Sequence, residues 1–191
     1  EYAGTFGISI ALGGLATILC LVLAFPLAYT ISRSQGRMQQ TMVMIIMLPM
    51  WMNFLLRTYA WMSLLENNGF VNQLLRLVGL LPEGHSLSLI NTSGAVVLGM
   101  VYNFLPFMVL PLCSVMAKID NSVIEAAQDL GSNTLQVFRK VVLPLSIPGM
   151  LSGITMVFVP AVSTFVITKL LGGSKTLMIG DTIETMFIGQ G

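Results

Sequence analysis

Four long stretches almost free of charge dominate this 191-residue chain. They run over about 6–31, 41–65, 93–117 and 142–168; the second holds Arg57, and the other three hold no Asp, Glu, Lys or Arg. A helix that crosses a bilayer needs roughly 20 mostly apolar residues, and each stretch meets that length. Composition agrees: 55% of residues are hydrophobic and 9% charged, where a soluble domain carries about a quarter charged residues. The expected fold class is therefore all-α, a polytopic helical membrane protein in a single transmembrane domain.

Several function classes are disfavoured at once. The basic residues are scattered and the formal net charge is +1, whereas gripping a nucleic-acid backbone takes a concentrated basic patch. Cys20 and Cys113 both lie in apolar runs and read as thiols packed like small hydrophobes. His85, the sole histidine, has no Cys/His companions at zinc-ligand spacing, so no metal is implied. An intramembrane hydrolase needs a base beside its nucleophile, and no span offers one to Ser9, Ser152 or Ser163. No catalytic residue is assigned.

Loop charge suggests orientation. Arg33 and Arg37 follow the first span, and Lys118, Arg139 and Lys140 lie between the third and fourth; Arg76, Lys169 and Lys175 fall on the other side. The richer side is expected to be cytoplasmic. Glu1 and the loop over 66–92 then lie outside, and within that loop Phe70, Leu74, Leu77 and Val78 recur at helical spacing. "GGSK" (Gly172–Lys175) reads as a flexible turn, and 181–191 reads as the start of a further, truncated span. With no methionine at position 1, the chain reads as a fragment. Pro26, Pro49, Pro106, Pro111, Pro144, Pro148 and Pro160 sit in or beside spans, so proline-kinked spans are expected.

Against this apolar background "EAAQDLG" (Glu125–Gly131) stands out. Ser122 and Glu125 have capping-box spacing, and Gly131 stands where a helix ends in a left-handed residue. A second helix is expected from Ser132 or Asn133, with Leu135, Phe138 and Val142 on one face and Gln136, Arg139 and Lys140 on another, until Pro144 and Pro148 end it. The loop over 118–141 thus reads as helix, glycine turn, helix. Its local chemistry suits either a docking surface or a loop packed on its own spans.

Glu125, Ala126, Ala127, Gly131, Val141, Leu143 and Pro144 resemble, in type and spacing, the cytoplasmic signature of ABC importer permease subunits, E-A-A, three residues, G, nine residues, I, one residue, L-P. Val141 for isoleucine is the single departure. "LPMWMNFLLRTYAW" (Leu48–Trp61), "VYNFLPFMVLPL" (Val101–Leu112) and "LGGSKTLMIGDTIE" (Leu171–Glu184) extend the resemblance, over nearly the whole chain, to the spermidine/putrescine permease group. The resemblance implies that Glu125–Gly131 is a coupling helix docking on a cytoplasmic ABC ATPase dimer, with Glu125, Ala126, Ala127, Gly131, Leu143 and Pro144 carrying that role. It implies a second, homologous permease chain, an extracytoplasmic substrate-binding protein and a bacterial cytoplasmic membrane. ATP would bind the partner, because no G-x-x-x-x-G-K-[ST] loop is present here.

A polyamine is a polycation, best held by carboxylates and by aromatic faces through cation–π attraction. Trp51, Asn53, Tyr59, Tyr102 and Asn103 are the candidate path residues, and Trp61 reads as part of an interfacial belt. The four spans hold no carboxylate, which counts against tight polycation binding in this subunit. Arg57 is expected to snorkel to the outer interface, and the methionines between Met38 and Met52 read as deformable packing. An importer for another small solute, a non-ABC channel and a structural membrane subunit remain as alternatives.

Overall fold

The computed structural model describes residues 2–82, 85–173 and 176–189. Ser174 and Lys175 of the expected "GGSK" turn, and the last two positions of the expected further span, lie outside the described residues. Helix α1 (Tyr2–Arg33) covers the first expected span and α5 (Ser93–Met116) the third. Both are long and apolar enough to cross a membrane. The second and fourth stretches fall instead on interrupted pairs, Arg37–Trp51 with Phe54–Leu77 and Thr134–Leu145 with Ile147–Ser163, which meet the same criterion only when each pair counts as one span.

Both interruptions have a local cause. α2 (Arg37–Met47) gives way to a 3-10 turn over Leu48–Trp51, because Pro49 has no amide to continue the helical ladder. Asn53 then turns extended, at φ −57° and ψ 133°, and its side chain accepts from the Leu55 amide at 2.8 Å, starting α3 (Phe54–Leu65). In the fourth stretch α7 (Thr134–Val137) runs through a π-helical turn, Phe138–Val142, into α8 (Leu143–Leu145), and α9 (Ile147–Ser163) follows at 66°. Pro144 and Pro148, four residues apart, both lack amides on one side of the helix, and that side opens at Ser146. The Leu143 amide reaches back to Phe138 O, so π spacing carries the chain just past Pro144, and the helix ends at Leu145, between the two prolines expected to end it. Through Pro26, Pro106, Pro111 and Pro160 the helices α1, α5 and α9 continue unbroken.

The chain divides into two compact units, one of Glu1–Thr17, Pro49–Asn103 and Phe158–Gly191, the other of Ile18–Leu48 and Phe104–Val157. In the first, α4 (Phe70–Leu77) is the short amphipathic helix the spacing predicts, with Phe70, Leu74 and Leu77 exposed. Asn72 on its opposite face is buried, donating to Glu66 O and Leu87 O and accepting from the Leu87 amide. α10 (Ile179–Ile188) completes this unit. In the second unit Met108, Leu112, Met116 and Val142 are fully buried. α9 approaches α5 through Gly149 and Gly153: a Cβ on Gly149 would stand 3.1 Å from Pro111 O, and one on Gly153 would stand 2.5 Å from Met108 Sδ. Small residues four apart are the usual means of bringing membrane helices into backbone contact.

Candidate functional site

The polar loop forms in the second unit as α6 (Asn121–Asp129), a turn, and α7. α6 does not start with the expected Ser122/Glu125 capping box. Asp120 is the N-cap, its Oδ1 accepting from the Ser122 amide at 3.0 Å. Aspartate caps as well as serine and adds a negative charge at the helix N-terminus. The bonds from Ser122, its amide first, hold the Asp120 carboxyl below its ordinary range.

At the other end the Gly131 amide donates to Gln128 O at 2.9 Å and the Ser132 amide to Ala127 O at 3.1 Å. This is the Schellman pattern, and it requires the left-handed φ of +84° found at Gly131. A Cβ there would touch nothing within 4 Å. The demand for glycine thus comes from the backbone and not from crowding. Asn133 caps α7 in a full capping box with Gln136, the two amide-to-side-chain bonds measuring 2.9 and 3.1 Å.

With the backbone satisfied locally, the side chains are left outward. Glu125 and Ala126 are exposed, Ala127 is half-buried, and Glu125 joins no ion pair among the described residues. Leu130 and Leu135 flank the turn at 87% and 74% exposure. Leu135, Phe138 and Val142, expected on one face, differ in burial: Leu135 is exposed, Phe138 half-buried and Val142 buried, with Val137 buried as well. The π-helical turn over Phe138–Val142 breaks the 3.6-residue repeat on which that expectation rested. Leu143 is half-buried and Pro144 exposed.

The five candidate path residues all fall in the first unit. Trp51 is 83% exposed in the 3-10 turn, Asn53 is engaged as the α3 cap, and Tyr59 is exposed. Tyr102 packs edge-on against Trp61, with ring centroids 5.2 Å apart, which puts Trp61 in contact with one of the candidate path residues. Asn103 is buried; its Nδ2 donates to Gly99 O at 2.9 Å, and its Oδ1 has no partner.

Arg57 does not snorkel. It is 9% exposed, its Nε and Nη1 have no acceptor, and the guanidinium lies 5.9 Å from the centroid of the Phe54 ring. Sequence reasoning also passed over Asp181 as a site residue. This carboxylate is buried, accepting from the Thr168 hydroxyl at 2.7 Å and the Met178 amide at 2.9 Å, while its Oδ1 has no donor. Lys169 pairs with Glu184 in the same unit. The signal was present in "MIGDTIE", an aspartate inside an apolar run, but it lay beyond the four stretches taken as spans.

Residues 17–190 match the family described as binding-protein-dependent transport system inner membrane component. The chain belongs to that family. As a family member it is similar to the spermidine/putrescine transport system permease protein PotB of Haemophilus influenzae, 39% identical over 187 residues, covering 98% of this chain and 65% of that relative. The Escherichia coli K12 protein of the same name is 36% identical over 174 residues, covering 91% of this chain and 62% of the relative. The inner membrane ABC transporter permease protein YdcU of the same strain is 36% identical over 169 residues, covering 82% and 53%. The chain thus spans just under two thirds of the length of the two PotB relatives.

Proposed function

We propose that this chain forms the translocation path of a bacterial ATP-driven importer for polyamines, as a multi-pass permease subunit of the cytoplasmic membrane. α6 and its glycine turn are the coupling helix, docked on a separate ABC ATPase dimer that binds and hydrolyses ATP. The observation that carries this reading is the geometry of 120–137: both helices are capped from within, and Glu125, Ala126, Leu130 and Leu135 are exposed, with Ala127 half-buried beside them. Exposed leucines beside a small-residue pair suit insertion into a protein groove. Leu143 and Pro144 set the bend that follows. The spans are 6–31, 41–65, 93–117 and 142–168, with 118–141 cytoplasmic. A second permease chain and an extracytoplasmic binding protein complete the assembly.

Similarity to permeases named for spermidine and putrescine supports the substrate class. So do two buried oxygens without donors in the first unit, Asn103 Oδ1 and Asp181 Oδ1, since primary ammonium groups are donors only. Trp51, Asn53, Tyr59, Tyr102 and Trp61 supply aromatic and amide surface. A second reading, an importer for a different small solute, is favoured by Arg57, whose orphaned donors call for an acceptor and repel a polycation.

The test uses the full-length protein reconstituted with its ATPase, partner permease and binding protein, measuring ATP hydrolysis with and without spermidine. Stimulation that disappears in Gly131→Arg is the expected result. Hydrolysis that depends on Gly131 but ignores spermidine and putrescine would replace the polyamine assignment with the second reading.

A further inference from the structure

Phe25, Tyr29 and Arg33 stand at i, i+4 and i+8 along α1, on one helical stripe. The Phe25 and Tyr29 rings both stand edge-on to the Phe138 ring, with centroids 5.0 and 6.1 Å away. The Arg33 guanidinium lies 5.9 Å from the Tyr29 centroid. Its Nη1 donates to Asn121 Oδ1 at 2.5 Å, and its Nη2 donates to Met116 O at 2.5 Å and Ile119 O at 3.1 Å. Met116 ends α5 and Asn121 begins α6, while Phe138 lies just past α7. All of these residues belong to the second unit. One stripe of α1 therefore holds the chain immediately before α6 and the chain immediately after α7, with the Gly131 turn between the two grips.

The chemistry suits a rigid grip. The last carbonyls of a helix lack intrahelical donors, and a planar guanidinium can serve several acceptors in a fixed fork, which an ammonium cannot. Neither α6 nor α7 needs Arg33 in order to form, because Asp120, Gly131 and Asn133 cap them independently. What Arg33 adds is a connection between elements. Without it, the grip of α1 on the chain after α7, through Phe25 and Tyr29 against Phe138, remains, while the hydrogen bonds to Met116, Ile119 and Asn121 before α6 are lost.

We propose that Arg33, backed by Phe25 and Tyr29, is a positioning residue that binds the α6–Gly131–α7 hairpin to α1, so that displacement of the hairpin moves α1 instead of being absorbed in the 117–120 link. The proposal deepens the coupling-helix reading and rests on it. In the cycle, a force applied by the ATPase at α6 reaches the membrane through the end of α1 as well as through α5.

The experiment uses the full-length protein in its complete complex, in proteoliposomes. It measures retention of the ATPase through purification, the ratio of binding-protein-stimulated to basal ATP hydrolysis, and labelled spermidine uptake. Arg33→Ala is expected to retain the ATPase and basal hydrolysis while the stimulated-to-basal ratio falls roughly three- to tenfold, with any spermidine uptake falling in step. Arg33→Lys should restore only part of the ratio. An unchanged ratio in an intact Arg33→Ala complex overturns the proposal, as does proportionate loss of ATPase retention and activity, which would make Arg33 a support of the docking surface alone. If Arg33→Ala does not accumulate, Asn121→Ala removes one acceptor and leaves the backbone contacts, and an unchanged ratio there overturns the proposal equally. Failure of the underlying reading looks different: Gly131→Arg would leave ATPase retention and stimulation intact whatever Arg33→Ala does.

Discussion

The α6–α7 hairpin and the polar residues of the first unit solve opposite problems. In the hairpin, nearby side chains or turns satisfy the helix ends, through Asp120, the Gly131 turn and the Asn133–Gln136 box. Its Glu125, Ala126, Leu130 and Leu135 side chains are exposed. In the first unit Arg57, Asn103 and Asp181 are buried with polar atoms unmatched. A buried unpaired group costs about 1–3 kcal/mol, so three of them in one unit imply partners supplied from elsewhere: water, solute or further chain. The hairpin is complete by itself and offers a surface. The buried polar set is incomplete by itself and offers unfilled valences.

The sharpest way to break this comparison is at Gly131. If the hairpin is complete through its turn, Gly131→Arg forces a side chain into left-handed backbone at about 1–2 kcal/mol, and transport should fall more than tenfold while membrane insertion holds. Gly131→Asn, which tolerates that φ, should retain most of the activity; equal loss in both would shift the cause from backbone to bulk. Next in size is Asp181. Asp181→Ala strands the Met178 amide and should lower stability by about 2 kcal/mol, read as a lower melting temperature in detergent. Asp181→Asn keeps an oxygen for that amide and should hold stability, yet lose spermidine stimulation if Oδ1 meets an ammonium. Stimulation unchanged in Asp181→Asn would assign Oδ1 to some other partner.

The two regions also differ in how far the sequence foretells them. The hairpin depends on residues close together in the chain, so spacing alone discloses the glycine turn and the helix starting after it. Even there the N-cap is misplaced by two residues, because Asp120 and Ser122 are both good caps and only geometry decides between them. Leu135, Phe138 and Val142 do not share one level of burial, because the π-helical turn over Phe138–Val142 interrupts the 3.6-residue repeat that put them on one face. In the first unit the decisive facts are long-range. Arg57 reads as a snorkelling arginine from its place near a span end, and nothing local says that it is buried. Asp181 meets Met178 locally, at the start of α10, but finds Thr168 only through the fold, and the Tyr102–Trp61 pair joins α5 to α3. The Gly149/Gly153 pair was visible as letters, but its meaning depends on which helix faces it.

A smaller effect sharpens the claim of local completeness. Asn133→Ala removes one half of the α7 capping box and should cost about 1 kcal/mol, seen as faster amide exchange at Gln136 with α6 protection unchanged. If α6 loosens equally, the two arms are not capped independently, and the hairpin melts as one unit.

The smallest effect is set by pH at the other cap. Hydrogen bonds from Ser122 hold the folded Asp120 carboxyl below its unfolded value. A carboxylate with a lowered folded pKa contributes its stabilisation in full above the unfolded value of about 3.9. That contribution fades as pH falls through the folded value, once the protonated form becomes a poorer acceptor for the Ser122 amide. Amide exchange at Ser122, corrected for intrinsic rate, should therefore be flat from neutral pH down to about 4 and accelerate below it. Asp120→Asn keeps a capping oxygen without a titrating group, so its protection should stay flat across that range. Acceleration in both proteins would place the acid-sensitive element outside the α6 cap, and the hairpin would then owe part of its order to charges elsewhere in its unit.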